Sequence, residues 1–134
     1  MAYSVSRDEA SAPFFEAAAE GRLLIRRCPV CGTAYAPHTL RCADSDALSW
    51  QTATGSGLIV TWAVGHSDPL DPVLASPGGS TYLFGLIELR EGPWLQAPIV
   101  GVEPSRVRQG MQVSVLFVRP GGEEAIPVFA PART

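Results

Sequence analysis

The chain has 134 residues and a mass of 14.2 kDa, with 46% hydrophobic and 17% charged residues. This length predicts one domain with at most a small appendage, and the composition excludes disorder for the bulk of the chain. A membrane span is excluded because no run approaches about 18 uninterrupted apolar residues. The 12 prolines and 13 glycines argue against a helical bundle and predict many short elements joined by tight turns.

The basic residues are all of one kind: the formal net charge is −3, and the ten Lys and Arg residues are all arginine. The absence of lysine excludes mechanisms that need a lysine nucleophile, a Schiff base or a P-loop lysine. The acidic balance argues against nucleic acid as a partner. The N-terminal residues lack a basic segment followed by an apolar one, so no secretory signal is expected and the predicted location is cytoplasmic.

A short helix is the first predicted element. Ser11 is a candidate N-cap, Pro13 lies in the first turn, and Gly21 follows the last good helix former. A helix of two to three turns is marginal in water by itself, so it must pack on the rest of the chain. Phe14 and Phe15 are the expected docking side chains.

The remaining elements are predicted to be strands. Arg22–Arg27 and Gly32–Pro37 flank a cysteine turn, and five later segments are rich in apolar and β-branched residues. These segments are Gly57–Val64, Tyr82–Leu89, Trp94–Val100, Val113–Val118 and Ala125–Phe129. Their spacing predicts a small barrel or sandwich. Asp68–Ser80 is too rich in proline and glycine for regular structure, and a loop of that length is usually functional or flexible.

The cysteines give the strongest chemical signal. Cys28 and Cys31 share one tight turn, and Cys42 follows after ten intervening residues, at the start of a second turn that ends at Ser45. Zinc is held tetrahedrally by four donors of this kind, usually from two such turns across a hairpin. The spacing therefore predicts a structural zinc site in which Ser45 replaces the fourth cysteine. The fourth ligand is then Ser45, Asp44, Asp46, His38 or water.

Two other interpretations of the cysteines stay open, namely a remnant turn held by packing alone and a thioredoxin-like redox pair, which lacks its usual βαβ context. His66 opens the long loop and is either a ligand or partner contact or a surface residue. The arginines around the cysteines could bind phosphate groups bidentately. These arginines are Arg22, Arg26, Arg27 and Arg41.

Several motifs in order resemble a known family. They are Phe14-Phe-Glu, Glu20-Gly-Arg-Leu23, Cys28-x-x-Cys31, Cys42, Gly55-x-Gly57, Ile87-Glu-Leu-Arg-Glu-Gly-Pro93, Ile99-Val-Gly-Val102, Val107-Arg-Gln-Gly-Met111 and Pro127-Val-Phe-Ala-Pro131. The chain is identified as a member of the numbered domain-of-unknown-function family that joins a rubredoxin-like zinc ribbon to an OB-fold. The missing fourth cysteine departs from the family pattern and leaves the metal content open.

The resemblance implies a mainly β fold: an N-terminal helix (residues 1–21), a zinc-ribbon hairpin (22–50) and a five-stranded OB-fold barrel (51–134). It also implies a protein that is not an enzyme by itself. Family members are accessory subunits of thiolase-superfamily enzymes, including lipid-transfer-type thiolases and steroid side-chain aldolases. Some associate with MaoC-type hydratases. They support assembly and the binding or channelling of acyl-CoA.

The leading hypothesis is therefore a non-catalytic subunit of an acyl-CoA thiolase or aldolase complex, such as a heterotetramer, in lipid or steroid side-chain degradation. The residues expected at the partner interface are Phe14, Phe15, His66, Asp68, Leu70, Pro72 and Tyr82, and the ribbon arginines are a candidate site for CoA. The alternative is an OB-fold module for single-stranded nucleic acid, with bases stacked on Trp62, Tyr82, Phe84 and Trp94.

Overall fold

A computed structural model describes residues 9–45, 47–66, 74–77, 81–122 and 124–132. In these ranges the chain forms one α-helix, a three-stranded sheet and a closed five-stranded barrel. This architecture confirms the predicted fold class of a helix, a ribbon and an OB-like barrel. The three predicted domain boundaries stay predictions. No helix in the described ranges has the length and apolar character needed to cross a membrane.

The helix α1 spans Ala12–Ala19, with Ser11 at the N-cap position. The chain turns away from the helix at Gly21, which has a φ of 80°, a conformation that glycine adopts without steric cost. The backbone N–H groups of Gly21 and Arg22 donate to the carbonyls of Ala18 and Ala17, at 3.0 and 2.9 Å. These two bonds satisfy carbonyls that the end of a helix otherwise leaves without partners.

The ribbon sheet has the strand order β2–β1–β3, with both pairs antiparallel. Its strands are β1 (Leu24–Arg27), β2 (Ala34–Tyr35) and β3 (Ser49–Thr52). The strand β2 is shorter than the predicted Gly32–Pro37, because Gly32 has a φ of 76° and belongs to the cysteine turn. The strand β3 was not predicted, since its sequence Ser-Trp-Gln-Thr lacks an apolar alternation.

The barrel closes in the order β4–β5–β6–β8–β7, with β7 pairing back onto β4. Its strands are β4 (Ser56–Gly65), β5 (Tyr82–Leu89), β6 (Trp94–Ile99), β7 (Gln112–Val118) and β8 (Ile126–Pro131). The β6–β8 pair is parallel and the other pairs are antiparallel. This is a five-stranded Greek-key barrel of the OB type.

Two apolar clusters hold these parts together. The larger one fills the barrel and extends to the base of the ribbon, where Leu23 and Ile25 are buried and Phe14 packs against it. The smaller one lies outside β8, where Leu74, Ile126 and Val128 are buried and Phe15 packs against them. The two phenylalanines therefore attach the helix to both clusters, as expected of a helix too short to be stable alone.

Candidate metal centre

The first cysteine turn is built by backbone hydrogen bonds around Cys28 and Cys31. The Gly32 N–H donates to the Cys28 carbonyl at 2.9 Å, and the Cys28 N–H donates to the Thr33 carbonyl at 2.9 Å. The Cys31 N–H points at the Cys28 sulfur, with N and Sγ 3.4 Å apart. An N–H group in this place stabilises a thiolate, which is the form that binds metal.

The second turn spans Cys42 to Ser45, which pair as an isolated antiparallel bridge. The Cys42 N–H donates to the Ser45 carbonyl at 2.9 Å, and the Ser45 N–H returns a bond of 3.3 Å. The Asp44 N–H donates to the Cys42 sulfur at 3.3 Å. This turn therefore repeats the thiolate-stabilising contact of the first, and Ser45 occupies the place of its second ligand.

The two turns bring the three sulfur atoms together. The Cys42 sulfur lies 3.2 Å from that of Cys28 and 3.9 Å from that of Cys31, and all three lie within 4.8 Å of one another. A tetrahedral zinc ion about 2.3 Å from each sulfur needs sulfurs about 3.8 Å apart. The donor set therefore fits zinc, which would cross-link the two turns. These three residues were predicted as ligands from their spacing alone.

The thiols influence one another and one phenol. The pKa of Cys42 is lowered, chiefly by its hydrogen bond with the Cys28 thiol and next by the Asp44 N–H. The Cys31 N–H lowers the pKa of Cys28, but burial and the Cys42 thiol outweigh it and raise the pKa overall. Burial, followed by a hydrogen bond with Cys42, raises the pKa of Tyr35. Tyr35 was not predicted as part of this site, although its position on β2, shortly after the first cysteine turn, indicates that it lies near the thiols.

Two predicted candidates for the fourth ligand, His38 and Asp44, lie outside the sulfur cluster. In the described ranges, the group of close metal-binding atoms contains the three cysteines alone, without His38 or Asp44. The Ser45 hydroxyl donates to the Ala47 carbonyl at 3.0 Å and accepts from the Ala47 N–H at 3.1 Å. Asp46 lies outside the described residues. The chain thus offers zinc three thiolates, and the fourth ligand stays a prediction.

Three of the ribbon arginines bind groups of their own chain. Arg22 forms an ion pair with Glu20 at 2.6 Å, and Arg27 donates to the Gln51 side chain and the Gly32 carbonyl. Arg26 stacks on an indole and donates to two backbone carbonyls. Arg41 is exposed. The predicted role of these arginines in CoA binding stays a prediction.

Four of the seven predicted partner contacts lie in the described part of the chain. Phe14 and Phe15 are half-buried against their own chain, at a ring-centroid distance of 5.3 Å from each other. His66 is exposed just after β4, and Tyr82 is half-buried at the start of β5. The remaining predicted contacts, Asp68, Leu70 and Pro72, lie outside the described residues. The interface assignment stays a prediction.

The four aromatic residues of the predicted nucleic-acid platform do not share one face. Trp62 packs against the barrel core. Tyr82 and Phe84 form an edge-to-face pair with centroids 5.5 Å apart, and Trp94 is half-exposed on the neighbouring strand. The Trp94 indole donates to the Glu88 carboxylate at 3.2 Å. A carboxylate beside the exposed indole repels phosphate groups, so this face disfavours a nucleic acid.

A ribbon with a metal-binding cysteine cluster attached to an OB barrel defines a class of protein, and the family comparison agrees with it. Residues 15–49 match the family described as "ChsH2, rubredoxin-like zinc ribbon domain". Residues 50–118 match the family described as "ChsH2, C-terminal OB-fold domain". The chain belongs to the ChsH2 family, which confirms the resemblance found in the sequence.

Two relatives align with this chain to different extents. It is 34% identical over 131 residues to a probable enoyl-CoA hydratase alpha subunit of Thermomonospora curvata, covering 96% of this chain and 39% of that protein. It is 33% identical over 96 residues to a DUF35 domain-containing scaffold protein of Methanocaldococcus jannaschii, covering 69% and 65%. The chain therefore spans less than two thirds of the length of these relatives.

Solved structures share the fold. A chain of the structure described as "Ltp2-ChsH2(DUF35) aldolase" matches with a TM-score of 0.81 and 31% identity, covering 97% of this chain and 100% of that one. A DUF35 protein of unknown function from Sulfolobus solfataricus matches with a TM-score of 0.63 and 12% identity, covering 92% and 86%. At that identity the second match shows the fold alone.

Proposed function

We propose that this chain is a non-catalytic accessory subunit of an enzyme that forms or cleaves carbon–carbon bonds in acyl-CoA substrates. One observation carries the proposal: the chain matches, over 97% of its length, the whole ChsH2 (DUF35) chain of an aldolase structure. Because the match extends over the whole of that subunit, it supports the role of an aldolase subunit for this chain as well. The scaffold name of the archaeal relative points in the same direction.

The chemistry of the described residues supports a role without catalysis. The sulfur cluster is a structural donor set that ties two turns together. His38 and His66 are both exposed, and in the described ranges neither has a hydrogen-bond partner that would hold it as a general base. Acid–base chemistry on an acyl-CoA would then fall to the partner enzyme.

The proposed partner is a thiolase-superfamily enzyme that acts as an aldolase or thiolase, with a steroid side chain or another lipid as the acyl group. The proposed assembly is a cytoplasmic heterotetramer or a similar complex. The hydratase relative, of which this chain covers 39%, supports a further association with a MaoC-type hydratase. Zinc, bound by Cys28, Cys31 and Cys42, would stabilise the ribbon and take no part in the reaction.

The test is affinity purification of the tagged chain from its native cells, with the stoichiometric partners identified by mass spectrometry. A thiolase-superfamily protein at about one copy per copy of this chain supports the proposal. Recovery of the chain with nucleic acid, or turnover of an acyl-CoA by the isolated chain, contradicts it. A His66→Ala variant distinguishes turnover by this chain from turnover by a contaminant, because His66 is an exposed candidate base.

A further inference from the structure

Three neighbouring barrel strands present an apolar outer face. Leu58 on β4, Phe84 on β5 and Trp94 on β6 are exposed at 39%, 38% and 50%. The strand register places Leu58 opposite Glu88, and Glu88 opposite Trp94, so these three form one row across the sheet. Because side chains alternate along a strand, Phe84 and Leu86 lie on the same face as Glu88. We call Leu58, Phe84, Leu86, Glu88 and Trp94 the outer patch.

The outer patch has one charge. Glu88 is the only charged residue in β4, β5 and β6. One of its oxygens accepts the Trp94 indole N–H at 3.2 Å, which holds the ring beside the carboxylate. In the described part of the chain no ion pair neutralises Glu88. Arg90 lines one depression together with Glu88 but forms no ion pair with it, so the acid is presented with an oriented indole, apolar neighbours and an unpaired charge among the described residues.

Other parts of the barrel exterior are covered by the chain itself. The outer side of β8 is packed under Leu74 and Phe15, and Val128 there is fully buried. The described residues provide no such cover over Leu58 and Trp94. Beside them lies an open depression of about 560 Å³, lined among others by Leu58, Glu88 and Gln112. It is large enough to receive an apolar side chain from another molecule.

We propose that the outer patch docks a folded protein whose surface presents an arginine surrounded by apolar side chains. A guanidinium stacks on the Trp94 ring while it pairs with the Glu88 carboxylate, a combination that an ammonium group makes less well. Tryptophan and arginine are also the residues that dominate binding energy at protein interfaces. The inference rests on the proposed accessory role only for the identity of the partner.

Two other occupants fit the charge less well. OB-folds often bind nucleic acid on the strands that correspond to β5 and β6, but those strands hold no cation and one carboxylate. A second copy of this chain, docked by a two-fold axis through the patch, would place Glu88 against Glu88. Arg90 also lines the depression, so an arginine from a partner reaches Glu88 from the Trp94 side.

The first experiment measures the affinity of the purified chain for the thiolase-superfamily partner that co-purifies with it, by biolayer interferometry. Trp94→Ala and Glu88→Arg are expected to weaken binding at least about tenfold. Leu116→Ala and Glu103→Arg are the matched controls, since both residues are exposed and lie outside the patch. The wild-type affinity should fall with salt more steeply than that of Glu88→Gln.

The binding results distinguish an error in the docking surface from an error in the accessory role. If the partner binds Trp94→Ala and Glu88→Arg as tightly as the wild type, the docking surface is wrong and the accessory role stands. If no thiolase-superfamily protein binds the wild type, the accessory role is contradicted. The outer patch is then tested separately by titration with a dipeptide probe.

That probe is N-acetyl-phenylalanyl-arginine amide, titrated into the labelled full chain while the Trp94 indole N–H resonance is followed by NMR. The expected result is a shift that Glu88→Gln diminishes and that the glutamate analogue of the probe does not produce. The absence of a shift, or a stronger response to a single-stranded oligonucleotide, overturns the proposal.

Discussion

The guanidinium of Arg26 lies over the indole of Trp50, with its central carbon 3.5 Å from the ring centroid. The two residues are paired across β1 and β3. The same guanidinium donates to the carbonyls of Pro37 and Leu48, at 3.4 and 3.3 Å. Arg26 therefore links the central ribbon strand β1 to the segment around Pro37 and to the segment around Leu48.

Replacing Arg26 by lysine is expected to lower the free energy of unfolding by about 1–2 kcal/mol, because an ammonium group cannot stack and reach both carbonyls at once. Chemical denaturation with excess zinc measures the loss. Arg41→Lys is the control, since Arg41 is exposed and the described residues give it no partner. Equal stability of the two variants would contradict a structural role for Arg26.

Replacing Ser45 by cysteine should tighten zinc binding. A fourth thiolate would complete the donor set, and we expect on the order of tenfold slower loss of zinc to a chelator. Ser114→Cys, which adds an exposed thiol on β7, is the control. The wild type should hold about one zinc per chain. A gently purified wild-type protein without zinc, or an unchanged rate in Ser45→Cys, would contradict a metal site in this turn.

Replacing Gly57 by alanine should destabilise the barrel. A Cβ atom there would lie 2.6 Å from the Ile87 Cγ2 atom and 2.9 Å from the Glu88 carbonyl oxygen. The carbonyl belongs to the β5 backbone and cannot move without disturbing the strand pair. We expect a loss of about 1–3 kcal/mol in denaturation experiments. Ser56→Ala, at the exposed neighbouring position, should unfold like the wild type.

Replacing Phe15 by alanine tests whether its packing attaches α1 to the barrel. Loss of its packing on Ile126 and Val128 should cost about 2 kcal/mol, because the side chain is only half-buried. Hydrogen exchange of the α1 amides should quicken, whereas Val30→Ala at an exposed site should change neither quantity. Unchanged stability together with lost partner binding would instead favour the interface role predicted for Phe15 from the sequence.

The predicted fold was accurate where local signals were strong. The backbone just after the helix needs a positive φ, which Gly21 supplies, and enrichment in apolar and β-branched residues identified β4 to β8 to within a few residues. The strand β3 was missed because Ser49–Thr52 gains its pairing from β1, which local sequence does not reveal. Barrel closure through the parallel β6–β8 pair is likewise a long-range property; it followed from the family resemblance and not from spacing.

The candidate site was partly predictable for similar reasons. Cysteine spacing identified the three thiols, because two tight turns fix where their sulfurs point. Tyr35 was missed because its contact with Cys42 depends on how β2 returns past the second turn. The row from Leu58 through Glu88 to Trp94 depends on the pairing of three strands, which the pattern within any one segment does not reveal.

The most direct test of the accessory role is a reconstitution with three samples: this chain alone, its purified thiolase-superfamily partner alone, and the two together. Each is assayed for cleavage of the partner's acyl-CoA substrate, and native mass spectrometry reports the assembly. We predict a stable complex, no turnover by this chain alone, and cleavage by the pair that exceeds that of the partner alone. A partner that is fully active alone and forms no complex with this chain would contradict the proposed function.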